Sequence, residues 1–226
     1  KKEAAPAVKE AAAAAADKPQ YGGELLHHTS GSPVNWDEAY AANWMMSSNL
    51  GPAMENLLLG DWAQGPAGTG EYNWDGAGNL IHPGNSIGCL AESWEFPDDE
   101  TIIFHIRKGV HWAHNPDSAA SRLVGGRELT ADDVVFNEKR ILWDPKTELY
   151  QTAGQARPTD VYATDKYTVE MKNPKGFQGM TWEYAGACLA IFPPEVAEKY
   201  GDYQKWENQV GTGPFMIKDF VAESSI

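Results

Sequence analysis

Cysteine is scarce in this chain, which has only Cys89 and Cys188 among its 226 residues. The two lie far apart, and neither belongs to a Cys-x-x-Cys pair or to a Cys/His spacing typical of zinc sites. A long-range disulfide and two buried thiols are both consistent with the sequence. The spacing of two cysteines along a chain does not fix the distance between their Cα atoms.

Long apolar runs and catalytic motifs are also missing. No run reaches about eighteen apolar residues, so the sequence predicts no membrane span. It has no Gly-x-Ser-x-Gly, no His-Glu-x-x-His, no phosphate-binding loop and no Gly-x-Gly-x-x-Gly. Asp132 and Asp133 are adjacent carboxylates, but a place in the first turn of a helix explains them better than an acid–base role. We therefore expect no catalytic residues.

Positive charge is in short supply. Lysine and arginine number 18 against 32 aspartates and glutamates, which gives a formal net charge of −14. The first twenty residues contribute one net positive charge, so the imbalance lies in the rest of the chain. Such an acidic chain argues against nucleic acid or an anionic membrane surface as a partner. Solubility and attraction of a cationic ligand both remain open as explanations.

The six histidines raise the question of a metal site. His105, His111 and His114 are near one another in sequence, but no carboxylate completes a ligand set at a suitable spacing. We expect these three histidines not to bind a metal together, and we expect no resident cofactor.

The clearest pattern lies in residues 89–142. Ile102, Phe104 and Ile106 alternate with more polar positions, which predicts a half-buried strand over 101–107. A turn at 97–99 precedes this strand, since aspartates there can cap their own backbone.

A helix is predicted to begin after Thr130. Thr130 suits the N-cap, and Asp132 and Asp133 suit the positive end of a helix. The apolar side of this helix consists of Ala131, Val134, Val135, Ile141 and Leu142, and it is interrupted by Glu138.

The remaining pattern is less regular. We predict strands over 21–29, 167–171 and 215–221, a mostly helical segment over 37–59 broken at Gly51-Pro52, a loop over 113–129, and a short helix over 195–200 closed by Gly201.

Several of these segments carry a family resemblance. LAESWEF at 90–96, a double-aspartate turn, FHIRKGVHW at 104–112 and LTADDVVF at 129–136 follow in a fixed order. Together they resemble the signature of the family 5 extracellular solute-binding proteins, the oligopeptide, dipeptide and nickel receptors of ABC importers. The resemblance extends over about residues 21–222 through YGGEL (21–25), ENLLLG (55–60, like the end of the first long helix), WDPKTELY (143–150), YTVEMKNP (167–174) and VGTGPFMIKDF (210–220). The loop over 113–129 is longer than the family's usual Asp-Gly turn.

The resemblance implies a mixed α/β fold of the type II periplasmic-binding-protein architecture, with a ligand cleft between two lobes. It implies that residues 21–54 and 194–226 form the first part of lobe I and that 55–193 form an inserted subdomain. The second lobe is then expected to be absent from this chain. Residues 1–20, rich in alanine and lysine, are expected to be a disordered tether.

The resemblance also implies a function. The protein is expected to be a receptor outside the cytoplasm, periplasmic or at the cell surface and lipid-anchored, which passes a peptide or similar small solute to an ABC permease. The implied ligand contacts are Asn43, Trp44, Met45 and Tyr150. Two other interpretations stay open, namely a surface structural or adhesion protein that keeps the fold, and a receptor for nickel or a metal complex.

Overall fold

The computed structural model describes residues 22–24, 26–27, 31–33, 35–40, 50–65, 83–222 and 224. The predicted tether over 1–20 and three predicted ligand contacts, Asn43, Trp44 and Met45, lie outside the described residues. The mixed α/β class expected from the sequence is confirmed by the arrangement of strands and helices that follows.

The strands form two sheets. β1 (Leu58–Gly60) and β2 (Ser86–Gly88) pair as an antiparallel ribbon. The larger sheet has four antiparallel strands in the order β3-β4-β6-β5. Its members are β3 (Ala91–Glu95), β4 (Thr101–Ile106), β5 (Asp160–Asp165) and β6 (Thr168–Lys172).

Five α-helices are described, together with a π-helical segment, Trp182–Cys188. The helices are α1 (Ala119–Val124), α2 (Ala131–Trp143), α3 (Glu148–Ala153), α4 (Gln178–Thr181) and α5 (Pro194–Tyr200). Single 3-10 turns occur at Trp62–Gln64, Pro83–Asn85, Gly154–Ala156 and Trp206–Asn208. Within the described part of the chain, no helix has the length and apolar character needed to cross a membrane.

The core lies on one face of the four-stranded sheet. Ile102, Phe104 and Ile106 of β4 are at most 1% exposed, which confirms the alternation predicted for this strand. Phe104 lies opposite Val169 on β6 and stacks on Trp182, with ring centroids 5.8 Å apart. The strand predicted over 167–171 is likewise confirmed as β6.

The start of α2 confirms the prediction at Thr130. Thr130 and Asp133 form a reciprocal capping box, in which the Thr130 N–H donates to the Asp133 carboxylate at 2.8 Å. Glu138 does interrupt the apolar face, as expected, and is fully buried. The short helix closed by Gly201 is also confirmed, because Gly201 ends α5 with φ of 91°.

Of the described residues in the segment predicted to be mostly helical over 37–59, Leu50 is helical, but residues 38–40 form a turn and the prediction after Gly51-Pro52 is wrong. Residues 54–56 are irregular, and Leu58–Gly60 is strand β1 rather than the end of a long helix. Leu58 and Gly60 pair in register with Gly88 and Ser86. This pairing with a strand about thirty residues later outweighs the local spacing of the leucines, since strand formation depends on its partner.

The loop predicted over 113–129 contains helix α1. Ser118 caps this helix by accepting a hydrogen bond from the N–H of Ser121 at 3.2 Å. Gly125 ends it in the left-handed region with φ of 70°. Gly125 and the following Gly126 therefore lie at a helix C-terminus inside the predicted loop.

Two predicted strands are absent from the described residues. Residues 22–24 and 26–27 are irregular, and no strand forms over 215–220. The N–H groups of Gly213 and Phe215 donate instead to the carbonyls of Ala53 and Pro52, at 3.0 and 3.2 Å. These bonds attach the start of the segment to a turn, so the N–H groups of Gly213 and Phe215 do not join a sheet ladder.

Candidate functional site

Tyr150, the described member of the predicted ligand contacts, lies where three segments meet. The N–H of Glu148 donates to the carbonyl of Ala39 at 3.0 Å, which joins the start of α3 to residues 37–40. A small apolar cluster fills the junction, made of the buried residues Ala39, Ile141, Leu142, Leu149 and Leu189. Three partly exposed aromatics, Tyr40, Trp143 and Tyr184, pack against this cluster. We call these three residues and Tyr150 the junction face.

The start of α3 fixes the backbone of Tyr150. Thr147 is the N-cap, and its hydroxyl accepts a hydrogen bond from the Tyr150 N–H at 3.3 Å. The same hydroxyl donates to the Ile141 carbonyl at 2.6 Å. With Leu149 buried beside it, Tyr150 is held half-buried. The guanidinium carbon of Arg157 lies 3.8 Å from the centre of its ring.

A buried ion pair lies beneath the junction face. Asp37 is fully buried and accepts hydrogen bonds from Arg140 Nη1 at 2.9 and 3.0 Å. Asp37 also accepts from the N–H groups of Ala39 and Tyr203, at 3.0 and 3.2 Å. The Arg140 guanidinium lies over the Tyr203 ring at 4.7 Å. These contacts anchor residues 37–40 to α2 and to the segment after α5.

Glu38 is a buried carboxyl group of this junction with a shifted pKa. Its Oε2 accepts a hydrogen bond from the Ala190 N–H at 2.9 Å, while Asn137 donates to the Ala190 carbonyl at 3.0 Å. Burial raises the pKa of Glu38 to about 7, against the opposing effect of the Ala190 hydrogen bond. The carboxylate of Asp37 adds to the increase and Arg140 reduces it. Glu38 therefore changes charge near neutral pH.

A second buried carboxyl group, Glu138, stands apart from this network. It is fully buried on the apolar face of α2, and neither of its carboxyl oxygens has a hydrogen-bond partner among the described residues. Burial raises its pKa well above the ordinary value for glutamate. Glu138 has no path to a solute at the surface, so we do not count it among the candidate ligand contacts.

The histidines occupy separate environments. His105 Nε2 lies 2.7 Å from Glu95 Oε1 on the solvent-facing side of the sheet. His111 Nδ1 lies 2.9 Å from the Gly126 carbonyl, and His114 is exposed. Among the described residues, no group of three or more His, Cys, Asp or Glu side chains is arranged to hold a metal ion.

Cys89 is a free thiol. Its Sγ donates to Glu55 Oε1 at 3.5 Å. Burial, followed by the charge of Glu55, raises the pKa of this thiol to about 12, so it is unreactive at neutral pH. The disulfide alternative is therefore not realised at Cys89, and the side chain of Cys188 lies outside the described residues.

The structure shows contacts that the sequence did not reveal. Asp37, Glu38 and Arg140 were not singled out, because nothing in their local spacing marks residues that meet only after folding. Arg157 was also missed. The available signal was Gly154, because a glycine after a helix often allows the chain to reverse. Arg157 follows this glycine by three residues, so a reversal there brings it back toward the helix.

Comparison with known proteins supplies the family context for this geometry. The model of the bacterial extracellular solute-binding proteins, family 5 middle region, matches residues 86–226. The dipeptide-binding protein of Escherichia coli K12 is 29% identical over 153 residues. The di/tripeptide-binding protein 3 of Pseudomonas aeruginosa is 29% identical over 161 residues.

Solved structures share the fold. The oligopeptide-binding protein AppA of Bacillus subtilis, in complex with a nonapeptide, superimposes with a TM-score of 0.67 at 23% identity, covering 90% of this chain and 35% of that one. The periplasmic binding protein DppA of Helicobacter pylori, in complex with the peptide STSA, gives a TM-score of 0.61 at 18% identity, covering 85% and 36%. These likenesses confirm the expected type of fold.

The matches cover only part of each relative. The alignments with the E. coli and P. aeruginosa proteins include 61% and 62% of this chain but 28% of each relative. The chain thus spans less than a third of the length of these relatives.

Proposed function

The chain belongs to the bacterial extracellular solute-binding proteins of family 5, and from that membership we propose that the full-length protein is the receptor of an ABC-type importer. It binds a peptide or similar small solute and delivers it to the permease without chemical change. The observation that carries the proposal is the family match over residues 86–226. Two of the relatives are named as dipeptide-binding and di/tripeptide-binding proteins. These names support peptides as the ligand class.

The domain arrangement is part of the proposal. Residues 21–54 and 194–226 belong to lobe I, and residues 55–193 form a subdomain inserted into it. The N–H of Ile191 donates to the carbonyl of Glu55 at 3.1 Å. The start and the end of the inserted subdomain, near Glu55 and Ile191, therefore lie side by side. An inserted segment requires this, because the chain leaves lobe I and returns to it at the same place. The ligand cleft lies between lobe I and a second lobe.

Asn43, Trp44, Met45 and Tyr150 are proposed to line the first wall of that cleft. The support is the bond that joins Glu148 to Ala39, because Asn43 follows Ala39 by only four residues. The half-exposed aromatics of the junction face suit such a wall, since tyrosine and tryptophan offer an apolar body and one polar group.

Ligand binding favours closure of the cleft. A hinge motion brings the two lobes together around the solute, and only contacts that improve in the closed state stabilise that state. For a peptide, these are main-chain hydrogen bonds, with its side chains in wet pockets. The buried Asp37–Arg140 pair supports a first wall that moves as a unit, because it ties residues 37–40 to α2.

The receptor is placed outside the cytoplasm, in the periplasm or at the cell surface. Residues 1–20 are proposed to be the tether that joins the folded part to a lipid anchor. The support is their composition, which consists mainly of alanine with lysine, glutamate and proline.

The test is ligand binding by the full-length protein. Native mass spectrometry of the purified protein is expected to reveal a co-purifying peptide, whose affinity is then measured by isothermal titration. We expect Trp44→Ala to weaken binding by about tenfold or more and Tyr150→Phe by a few-fold. Tyr200→Phe is the matched control, because Tyr200 is an exposed tyrosine of α5 that is not part of the junction face. Unchanged affinity in folded Trp44→Ala and Tyr150→Phe variants would refute the assignment of the wall.

A further inference from the structure

Arg157 and Tyr150 form a stacked pair at the edge of the junction face. The two residues are seven positions apart, and the guanidinium carbon lies 3.8 Å from the ring centre. Both side chains are half-buried, so the pair is reachable from solvent. A guanidinium over an aromatic ring is attracted to the ring face and has one side shielded from water.

The turn between the two residues holds the arginine in place. α3 ends at Gly154, whose φ of 52° reverses the chain into the 3-10 turn Gly154–Ala156. Arg157 Nε donates to the carbonyl of Gly154 at 3.0 Å. Ala153, Ala156 and Pro158 are buried and fasten the turn to the protein. The guanidinium therefore has both an aromatic ring and a backbone bond to fix its orientation.

The protein contains a second arginine–tyrosine stack, and in that one the guanidinium also binds a carboxylate. Arg140 lies over the Tyr203 ring, and its Nη1 bonds the carboxylate of Asp37. In that stack a carboxylate lies at the outer nitrogen of the guanidinium. The stack of Arg157 on Tyr150 has the ring and the fixed guanidinium but no carboxylate within ion-pair distance among the described residues.

Arg107 and Arg122 likewise form no ion pair with a carboxylate of the described residues, so it is the stack on Tyr150 that sets Arg157 apart. Carboxylates are abundant in this protein. The chain has 32 acidic residues against 18 lysines and arginines. Arg127 bonds two carboxylates, Asp133 and Glu195, and Arg140 bonds Asp37. An arginine whose orientation is fixed, but whose outer nitrogens have no carboxylate within the described part of the chain, can accept one from outside.

We propose that Arg157 and Tyr150 form a subsite for a carboxylate of the bound solute. The outer nitrogens of Arg157 present the planar fork that matches a carboxylate, and the Tyr150 ring shields one face of the contact. The carboxylate belongs either to the C-terminus of a peptide or to an acidic side chain. This inference rests on the proposed function, because it assigns a ligand group to the wall that carries Tyr150.

The test uses pairs of peptides that differ only in the charge of one group. The full-length protein is titrated with alanyl-alanine and its C-terminal amide, and with alanyl-glutamate amide and alanyl-glutamine amide. The first pair reports on the C-terminal carboxylate and the second on an acidic side chain. We expect the wild-type protein to prefer the charged member of one pair by about tenfold or more.

Three variants assign that preference to Arg157. Arg157→Ala is expected to lose the preference, and Arg157→Lys to keep part of it, because a lysine retains the charge without the fork. Arg122→Ala is the matched control, since it removes the same charge from an exposed arginine that bonds only the Pro116 carbonyl in the described structure. Arg122→Ala is expected to leave the ratio within each pair unchanged.

The outcomes separate this inference from the proposed function. If the wild-type protein binds a peptide but Arg157→Ala leaves the charged-to-amide ratio unchanged, the subsite is wrong while the receptor function stands. If the wild-type protein binds neither member of either pair and carries no co-purifying peptide, both proposals fail. Circular dichroism and the thermal midpoint confirm that each variant is folded.

Discussion

The side chain of Glu38 accepts a hydrogen bond at 2.9 Å from the backbone N–H of Ala190, a residue 152 positions later in the chain. The carbonyl of the same residue accepts a bond from Asn137. Ala190 is thus held from both sides close to Ile191, whose N–H is bonded to Glu55. The contact places a buried acid at the point where the proposed inserted subdomain rejoins lobe I.

The stability of the protein is expected to depend on Glu38 between about pH 4.5 and pH 7. The folded state raises the pKa of Glu38 to about 7, so the folded protein holds a proton that the unfolded chain releases near 4.5. Its contribution to stability is therefore full below pH 4.5 and is lost as the pH rises to about 7. The difference corresponds to about 3 kcal/mol.

Comparison with Glu38→Gln isolates this effect from other titrating groups. The variant keeps an acceptor for the Ala190 N–H but carries no charge. We expect its free energy of unfolding, from urea titrations, to match the wild type near pH 4.5 and to exceed it by about 3 kcal/mol at pH 8. A difference that is the same at both pH values would show that Glu38 is not the titrating group.

Replacing Glu138 is expected to stabilise the protein. Its carboxyl group is fully buried without a hydrogen-bond partner among the described residues, and methionine has a similar volume without the desolvation cost. We expect Glu138→Met to raise the free energy of unfolding at pH 8 by roughly 1–3 kcal/mol. The gain should be smaller at lower pH, because the raised pKa of Glu138 favours its neutral form there.

The control for this change is Glu138→Gln, which removes the charge but leaves a polar group in the same place. The free energy of unfolding of Glu138→Gln at pH 8 is expected to lie between those of the wild type and Glu138→Met. A loss of stability in Glu138→Met would mean that the carboxyl group is bonded in solution, for example by an ordered water molecule.

Arg127 is expected to be a main electrostatic link between the starts of α2 and α5. Its guanidinium bonds Asp133 at 2.6 and 2.8 Å, and it also bonds Glu195. Asp133 is only 3% exposed, so removing Arg127 leaves a buried carboxylate without its cation. We expect Arg127→Ala to lower the free energy of unfolding by roughly 2–3 kcal/mol.

Glu195→Gln separates the contributions of the two ion pairs of Arg127, one with Asp133 and one with Glu195. Glu195 is more exposed than Asp133, so its loss is expected to cost about 1 kcal/mol or less. Urea titrations of both variants at low and high salt measure the difference. Equal costs for Arg127→Ala and Glu195→Gln would contradict the assignment of the larger contribution to Asp133.

Gly211 is expected to tolerate no side chain. A Cβ placed on Gly211 would lie 1.8 Å from the Ala53 carbonyl oxygen, a backbone atom that does not move without shifting the turn at residues 52–53. We expect Gly211→Ala to lower the thermal midpoint by several degrees or to prevent folding. Gly179→Ala is the matched control, because no heavy atom lies within 4 Å of its added Cβ. Similar midpoints for the two variants would show that this close approach does not occur in solution.

Several elements could be predicted from the sequence because local rules govern them. The alternation of Ile102, Phe104 and Ile106 has the period of a half-buried strand. Thr130 and the aspartates after it have the chemistry of a helix start, and Gly201 has the freedom needed at a helix end. The resemblance based on these segments also led to the correct family.

Other elements could not be predicted in this way. Leu57 and Leu58 lie in the segment predicted to be mostly helical over 37–59, yet β1 formed because β2 offers a partner for its backbone. Residues 113–129 were predicted to be a loop longer than the family's usual turn, but Ser118 and Gly125 cap a helix there. In both cases the local pattern was compatible with more than one structure.

The sequence by itself determined the fold class, the family, the main strand and the long helix, because backbone preferences and apolar periodicity act over a few residues. Only the tertiary structure decided which charges meet. Asp37 and Arg140 are 103 residues apart, and Glu38 reaches Ala190 across 152. Their pairing and the pKa of Glu38 depend on burial, which removes water from groups that no local pattern brings together. The stack of Arg157 on Tyr150 likewise required the turn at Gly154 to be folded before its geometry existed.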